Sequence, residues 1–526
     1  MAKCMKIWGG PGCGKTAYLM KIYGNLIQDE GYMPSDITVS TFRKTAANDL
    51  IQQASSLTKN PFTETRQHVG TLHSICNRLA GYPNLLGPKD IREFLEEYGY
   101  ARYLPTYTKY RLGPDHLNAE ETVYSGDPFD LYNWLRNTDT PVEKAFRYPG
   151  IGNILIPIRK IPKFVYDYEE FKEKKKKFDF SDQIQKVRNE KIELDTQILM
   201  IDEVQDLTRQ QIEVVKMWEP NLDIMIIAGD PLQSIYGYLG GTPDFYRNWG
   251  AEEIILPKSY RLAKPTWKTA CQILESEGMQ PPGIESNGLG SPDTVNFCGY
   301  SEITPGLGGS ELHLVRCNYQ ANAIAMDLAE RGIVFGGLHG WTEQEINLFN
   351  TIFKFRKGDS MIGSELKTLV ENYELKLFRY WGSKENLIEY FESSTCRFQL
   401  AVAKGYMTPT LCNILQSKNP TAKMRGCGKL KRVKIENALR VRKNVITLEE
   451  VKKIQILTIH GAKGLEADVV FLHAAITPRI RKSLLIPGEE SAAEARVWYV
   501  GVTRARERLF VIKDKGQNYS LPRVVA

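Results

Sequence analysis

Gln197-Ile-Leu-Met-Ile-Asp-Glu-Val-Gln-Asp206 is the stretch on which the fold turns. Its first five residues form a short run, apolar after Gln197 and of strand length, which is how a buried parallel strand reads. Asp202 and Glu203 then fall where such a strand should end. Carboxylates at the carboxyl end of a buried strand are costly unless a metal or a reaction uses them. Taken alone, Asp-Glu reads equally well as an ordinary acidic turn. The start of the chain decides between the two.

Lys6-Ile-Trp8 is strand-like, and Gly9-Gly-Pro-Gly-Cys-Gly-Lys-Thr16 follows it. The run fits G-x-x-x-x-G-K-[ST] at every fixed position, and a helical pattern runs on from Ala17 to about Ile27. The N–H groups of such a loop cradle phosphates, aided by the positive end of the following helix. Gly9, Gly10, Pro11, Gly12, Cys13, Gly14, Lys15, Thr16 and Ala17 are therefore the expected nucleotide-binding residues. Lys15 would reach the β- and γ-phosphates, and Thr16 would hold Mg²⁺. A phosphate loop needs a distant acid for that ion and a base to orient water. Asp202 and Glu203 are the candidates.

At 526 residues the chain is too long for one core, so several domains are expected. Hydrophobic residues make up 42% and charged residues 25%, as in ordinary soluble proteins. The net charge of +7 is compatible with nucleic acid without being diagnostic. The nine cysteines are scattered with no C-x-x-C pair, which gives no support to a zinc or iron–sulfur site and points to a reducing, cytoplasmic compartment. No run of about 18 apolar residues predicts a membrane span, and no signal peptide is expected before so early a phosphate loop.

Further along, Ile37-Thr-Val-Ser-Thr-Phe42 alternates like a strand. Thr41-Phe-Arg-Lys-Thr-Ala-Ala47 and Gly70-Thr-Leu-His-Ser74 resemble the Ia and Ib-region motifs of UvrD/Rep/PcrA-type superfamily 1 helicases. Asp202–Asp206 is similar to their motif II, and Asp179-Phe-Ser-Asp182 to the acidic element upstream of it. Gly229–Gly241 resembles motif III, Ser259-Tyr-Arg261 motif IV, Thr458–Glu466 motif V and Tyr499–Arg506 motif VI. These motifs span nearly the whole chain in the family's order. The resemblance implies an α/β fold of two RecA-like P-loop cores, parallel sheets flanked by helices, each with an inserted, mainly helical subdomain. The expected divisions are 1–80 and 178–256 for the first core with 81–177 inserted, and 257–341 and 448–526 for the second with 342–447 inserted. Strands are expected at 223–228, 312–317, 454–458, 469–472 and 509–513. The lysine run Lys172–Lys177 reads as a solvated helix face, with phosphate contact the alternative. The basic tail of the second insert carries Lys423, Arg425, Lys429, Lys431, Arg432, Lys434, Arg440, Arg442 and Lys443 and is expected to meet duplex phosphates.

Several roles are implied by the resemblance alone. Arg261 and Arg504 would be cations reaching the γ-phosphate, and Gln233 would link that phosphate to the DNA side. Together with Lys15, Asp202 and Glu203 they form the expected catalytic set. Tyr260 would stack on adenine, and Gly464 and Glu466 would contact the nucleotide. Thr16 and Asp202 would hold the metal. Thr41, Phe42, Thr71, His73, Tyr236, Tyr238, Thr458 and His460 would meet nucleic acid, with Tyr519 in a hairpin at the duplex junction. The chain departs from the family in one respect: none of Met1 to Trp8 is the glutamine that normally reads the adenine edge. Nucleotide selectivity is thereby left open.

The expectation is an ATP- and Mg²⁺-dependent single-stranded DNA translocase and helicase, 3′→5′ by resemblance, acting on single strands and single-strand/duplex junctions. The residues alone leave RNA open as a track, along with the pathway, the protein partners and the oligomeric state. The competing expectation is a nucleotide-dependent binding module or translocase that acts with a partner and separates no strands itself.

Overall fold

The computed structural model describes residues 3–58, 62–104, 127–306, 308–379, 383–394, 397–484 and 488–513. Tyr519 lies outside these residues.

Ile198–Ile201 is buried at every position, as its unbroken apolar run requires. It is the fourth strand, β4, of a six-stranded parallel sheet. The others are β1 (Lys3–Trp8), β2 (Ile37–Thr41), β3 (Val69–Thr71), β5 (Ile224–Gly229) and β6 (Glu252–Ile255), in the order β3-β2-β4-β5-β1-β6. Asp202 leaves β4 beside the phosphate loop that leaves β1, with only β5 between them. The carboxyl edge of a parallel sheet is where ligands bind.

A second six-stranded parallel sheet takes β7 (Val295–Cys298), β8 (Glu311–Val315) and β9 (Gly336–Gly337). A small antiparallel ribbon, β10 (Met361–Ile362) with β11 (Arg397–Phe398), intervenes in sequence. The sheet is completed by β12 (Ile454–Thr458), β13 (Ala467–His473) and β14 (Ala505–Ile512), in the order β7-β14-β13-β8-β12-β9. Apolar clusters cover both faces of the first sheet. Another cluster joins the sheets, because Phe42, Ile235 and Tyr236 pack among residues of the second.

Between β3 and β4 the chain builds a helical unit on the helices Pro88–Glu97, Pro128–Asn137 and Ile161–Lys175. Leu85 bridges to Phe178 where the chain leaves and returns. Its core is aromatic: Phe94 meets Tyr98, Tyr100, Phe129, Phe164, Tyr168 and Phe171 at ring distances of 5.1–6.0 Å.

Lys172–Lys177 is a solvated face only in part: Lys174 and Lys176 are exposed, whereas Lys172 is not. Lys172 is buried and pairs with Glu169, Asp179 and Asp182 at 2.8–3.0 Å. Lys174, Lys175 and Lys177 pair with Glu97, Glu93 and Asp90. The run sits on the seam between two helices, where cations opposite acids hold the unit closed. Asp179 and Asp182 also cap the helix Phe180–Asn189 reciprocally, each accepting from the other's backbone N–H at 2.9 Å. A second helical unit lies between β9 and β12, from Glu343–Lys357 to Lys429–Val441, and shares its apolar cluster with the second sheet.

Candidate nucleotide site and nucleic-acid face

The phosphate loop turns through Gly12 (φ 72°) and Gly14 (φ 78°), a region that favours glycine. A Cβ on Gly12 would also stand 2.4 Å from Cβ of Arg261, so the loop can approach that segment only without a side chain. Ser259 Oγ donates to the Pro11 carbonyl at 2.7 Å, and the Tyr260 N–H to that of Gly12 at 2.9 Å. Gly14 begins the helix Lys15–Gln28, whose first N–H groups open on the cleft. Lys15 folds back, its Nζ donating to the carbonyls of Gly9 at 2.8 Å and Gly10 at 3.3 Å.

Thr16 Oγ1 donates to Asp202 Oδ2 at 2.6 Å. Burial, with the Glu203 charge second, raises the Asp202 carboxyl to about 6. Burial opposes ionisation of Glu203 too, but Lys463, Lys15, Gln205 and Arg504 outweigh it and hold that carboxyl below its ordinary value. Glu203 occupies the left-handed region at φ 56°, strain of a kind that gathers at functional sites.

The opposite wall belongs to the second core. Arg504 follows the helix Glu489–Val502 and is buried, with its Nη2 donating to Gln233 Oε1 at 3.2 Å and its Nη1 to the Leu465 carbonyl at 3.2 Å. Burial and then the Arg261 charge lower the Arg504 guanidinium to about 9. Gln233 is turned by Asp230, whose Oδ2 accepts from its Nε2 at 2.7 Å. Arg261 pairs with Glu466. Tyr260 is 74% exposed, with a ring free to take a flat partner. Lys15, Thr16, Asp202, Glu203, Gln233, Tyr260, Arg261, Gly464, Glu466 and Arg504 all line one cleft of about 760 Å³, as do Pro11, Gly12, Gly14 and Ala17. Gly9, Gly10 and Cys13 belong to the same loop.

Among the residues of this cleft that had no role on the sequence alone, three charged ones make contacts between the cores. Lys463 is buried, with Nζ paired to Asp206 and donating to the Gln233 carbonyl at 2.7 Å. Burial raises the Asp206 carboxyl to about 7 against the pull of Lys463. Arg43 reaches the second core from just beyond β2. All three are charges inside quoted motifs, but their partners are more than 250 positions away for Lys463–Asp206 and more than 400 for Arg43.

The predicted nucleic-acid residues are mostly closed in. Thr41, Phe42, Thr71, His73, Tyr236, Thr458 and His460 are buried. Phe42 stacks on Tyr236 at 5.3 Å and 27°, so a base could take its face only after Tyr236 moves. Tyr236 donates to the His460 carbonyl at 3.1 Å. Thr71 caps the helix Leu72–Leu79, and His73 Nδ1 lies 3.3 Å from Gln211 Nε2. Thr458 Oγ1 accepts from the Gly461 N–H. Tyr238 is half-buried, edge-on to His460 at 5.6 Å.

Residues 1–252 match the model of the UvrD/REP helicase N-terminal domain, and residues 453–512 that of the UvrD-like helicase C-terminal domain. The chain is similar to a probable DNA helicase II homolog of Mycoplasma capricolum, with 22% identity over 98% of this chain and 82% of that protein. A probable DNA helicase II homolog of Mycoplasma pneumoniae is 21% identical over 96% of this chain and 81% of its own length. ATP-dependent DNA helicase UvrD2 of Mycobacterium tuberculosis is 24% identical over 59% of this chain and 46% of that protein. No helix among the described residues is long and apolar enough to cross a membrane.

Proposed function

The chain belongs to the UvrD/REP helicase family, and on that premise we propose that it is a DNA-dependent ATPase that moves 3′→5′ along single-stranded DNA and separates duplex strands. The observation that carries this reading is Arg504: it enters from the second core, meets Gln233 of the first at 3.2 Å, and shares a cleft with Lys15 and Glu203. A motor must make hydrolysis depend on how its two cores meet, and cations presented across a cleft do so.

ATP would lie with its phosphates on the N–H groups from Gly12 to Thr16. Lys15 would exchange its two carbonyl partners for phosphate oxygens. Glu203, held ionised by the surrounding cations, accepts the proton of the attacking water. Arg261 and Arg504 offset charge on the transferring group, and Gln233 reports that charge toward Tyr236 and Tyr238. Tyr260 offers its exposed ring to adenine. The Thr16 hydroxyl and Asp202 carboxylate form an all-oxygen pair suited to a hard cation, and the burial of Asp202 beside Glu203 favours positive charge there. Mg²⁺, when bound, neutralises the phosphate oxygens. Single strands and their junctions with duplex are the substrate, with Tyr519 the aromatic at the junction.

Phosphate release with and without DNA, paired with unwinding of 3′-tailed and 5′-tailed duplexes, tests the reading. DNA-stimulated hydrolysis with unwinding of the 3′-tailed duplex alone is expected. Hydrolysis with no unwinding of either substrate would favour a translocase or binding module acting with a partner. Unwinding of the 5′-tailed duplex would reverse the polarity.

A further inference from the structure

Arg43 lies just before the helix Lys44–Thr58, two residues past the end of β2. Its guanidinium leaves the first core and grips the turn that follows β12 in the second. Nη1 donates to the Lys463 carbonyl and Nη2 to the Gly461 carbonyl at 3.4 Å. Tyr236, also of the first core, donates to the His460 carbonyl at 3.1 Å. Carbonyls 460, 461 and 463 of one turn therefore accept from first-core side chains. Lys463 returns the contact through Asp206 and the Gln233 carbonyl. Gly464 ends the turn at φ 83°, and the one neighbour a Cβ there would meet is Arg43 Nη1 at 3.6 Å. The guanidinium thus lies against the turn itself.

The chemistry of the side chain fits this task. A planar fork with several fixed N–H donors can span two carbonyls, which a single ammonium cannot do with the same geometry. The neighbouring Phe42 stacks on Tyr236, so two consecutive residues hold both the turn and the ring that holds the turn. The hydrogen bonds of Arg43, Tyr236 and Lys463 all cross between the cores and none survives if the cores separate, whereas the Phe42–Tyr236 stack lies within the first core.

We propose that Arg43 is a positioning residue, an inter-core latch that seats the His460–Gly464 turn when the cleft closes and so sets Lys463 and Arg504 in register with the nucleotide. It rests on the proposed function in taking closure as the productive state. Its tests separate the two.

Arg43→Ala and Arg43→Lys are made in the full chain. Hydrogen exchange is followed in a peptide covering 458–466, with 467–473 on β13 as the internal reference. With a non-hydrolysable ATP analogue bound, the turn should exchange about 10-fold faster in Arg43→Ala while β13 and the melting temperature stay unchanged. A residue that acts only in the closed state lowers kcat and leaves KM alone, so kcat for ATP should fall about 10-fold in both variants with KM within about 2-fold. Unchanged exchange overturns the latch, as does a uniform rise across both peptides, which would mark a merely structural residue. Wild-type turnover in Arg43→Lys overturns the bridging geometry, and a raised KM with normal kcat makes Arg43 a nucleotide contact instead. If the wild type itself hydrolyses no ATP, the proposed function fails, and the exchange readout still decides the latch.

Discussion

Thr16 Oγ1 stands 2.6 Å from Asp202 Oδ2 although 186 positions separate them in the chain. The contact exists because β1 and β4 are both parallel strands flanking β5, so that their carboxyl ends open on the same edge. It brings the last residue of the phosphate loop to the first acid of motif II. With Glu203 next in sequence, the edge gathers one hydroxyl and two carboxylates, the groups proposed above to hold a cation and to accept a proton.

Glu203 should matter to hydrolysis far more than to binding. Glu203→Gln keeps the side chain's shape and its place beside Lys463 but removes the base. Affinity for a fluorescent ATP analogue should stay within about 2-fold, while phosphate release falls by about 10²–10⁴. Wild-type turnover in this variant would remove Glu203 from the chemistry.

Lys172 should behave unlike its neighbours in the lysine run. Removing it leaves Asp179 without its bonded cation in a buried site, while Arg136 still pairs with Glu169 and Asp182. Asp182 is already raised to about 6 by burial and by Asp179. Lys172→Met should cost about 3–5 kcal/mol, read by thermal or urea unfolding. Lys174→Ala removes only an exposed pair and should cost under about 1 kcal/mol. Equal effects would mean that both are surface residues.

The contrast between these two sites explains what was legible in the sequence. The phosphate loop announces itself because Gly9–Thr16 fits G-x-x-x-x-G-K-[ST] at every fixed position between a strand and a helix, and that loop is what gives the Asp202–Glu203 pair after β4 a reading other than an acidic turn. β6 is harder to read: Glu252 and Glu253 sit in it because, among the described residues, it is an edge strand paired to β1 alone, and both are exposed. β9 is two glycines long and carries no pattern at all. Lys172 is chemically identical to Lys174, and only the fold decides which one is buried. Arg43, Asp206 and Lys463 were visible as charges, but a partner 257 or 420 positions away leaves no local signal.

Two buried histidines should make the second core sensitive to acid. His313 on β8 stacks on Phe471 at 4.6 Å and lies 5.9 Å from the His473 ring. Among the described residues, neither ring nitrogen of His313 finds a hydrogen-bond partner. Burial holds His313 far below the ordinary 6.5, helped by His473 and Arg331, and lowers His473 to about 3. The unfolded chain takes up these protons near 6.5 and the folded chain does not. Stability is therefore full above that pH and falls as pH drops, by about 2 kcal/mol per histidine between pH 6.5 and 5. Unfolding of the wild type and of His313→Leu, compared at pH 7.5 and 5, checks this. The variant should lose less on acidification, and parallel losses would place the acid sensitivity elsewhere.

The basic tail of the second helical unit divides into cations that hold the fold and cations left to act. Lys434 is buried, donating to Glu345 Oε2 at 2.5 Å and to the Gly340 carbonyl at 2.9 Å. Lys431 donates to Asn372 at 3.1 Å, and Arg442 grips Glu450 with two bonds of 2.7 Å. Lys423, Arg425, Lys429, Arg432, Arg440 and Lys443 remain exposed. Lys429, Arg432 and Arg440 share one stripe of the helix Lys429–Val441, because steps of three and eleven residues return near the same side of a 3.6-residue turn. Glu436 lies on that stripe but bonds to Thr421, which draws its charge inward. Three cations in a row fit a line of phosphates. Changing all three to glutamine should flatten the dependence of log K on log salt for duplex binding by about 2–3 units, near 0.9 for each lost phosphate contact. Folding stability should hold, since none of the three is buried. Lys434→Gln should do the reverse, lowering stability with the salt slope intact. An unchanged slope in the triple variant would make the stripe a solvated face and move the duplex to another surface.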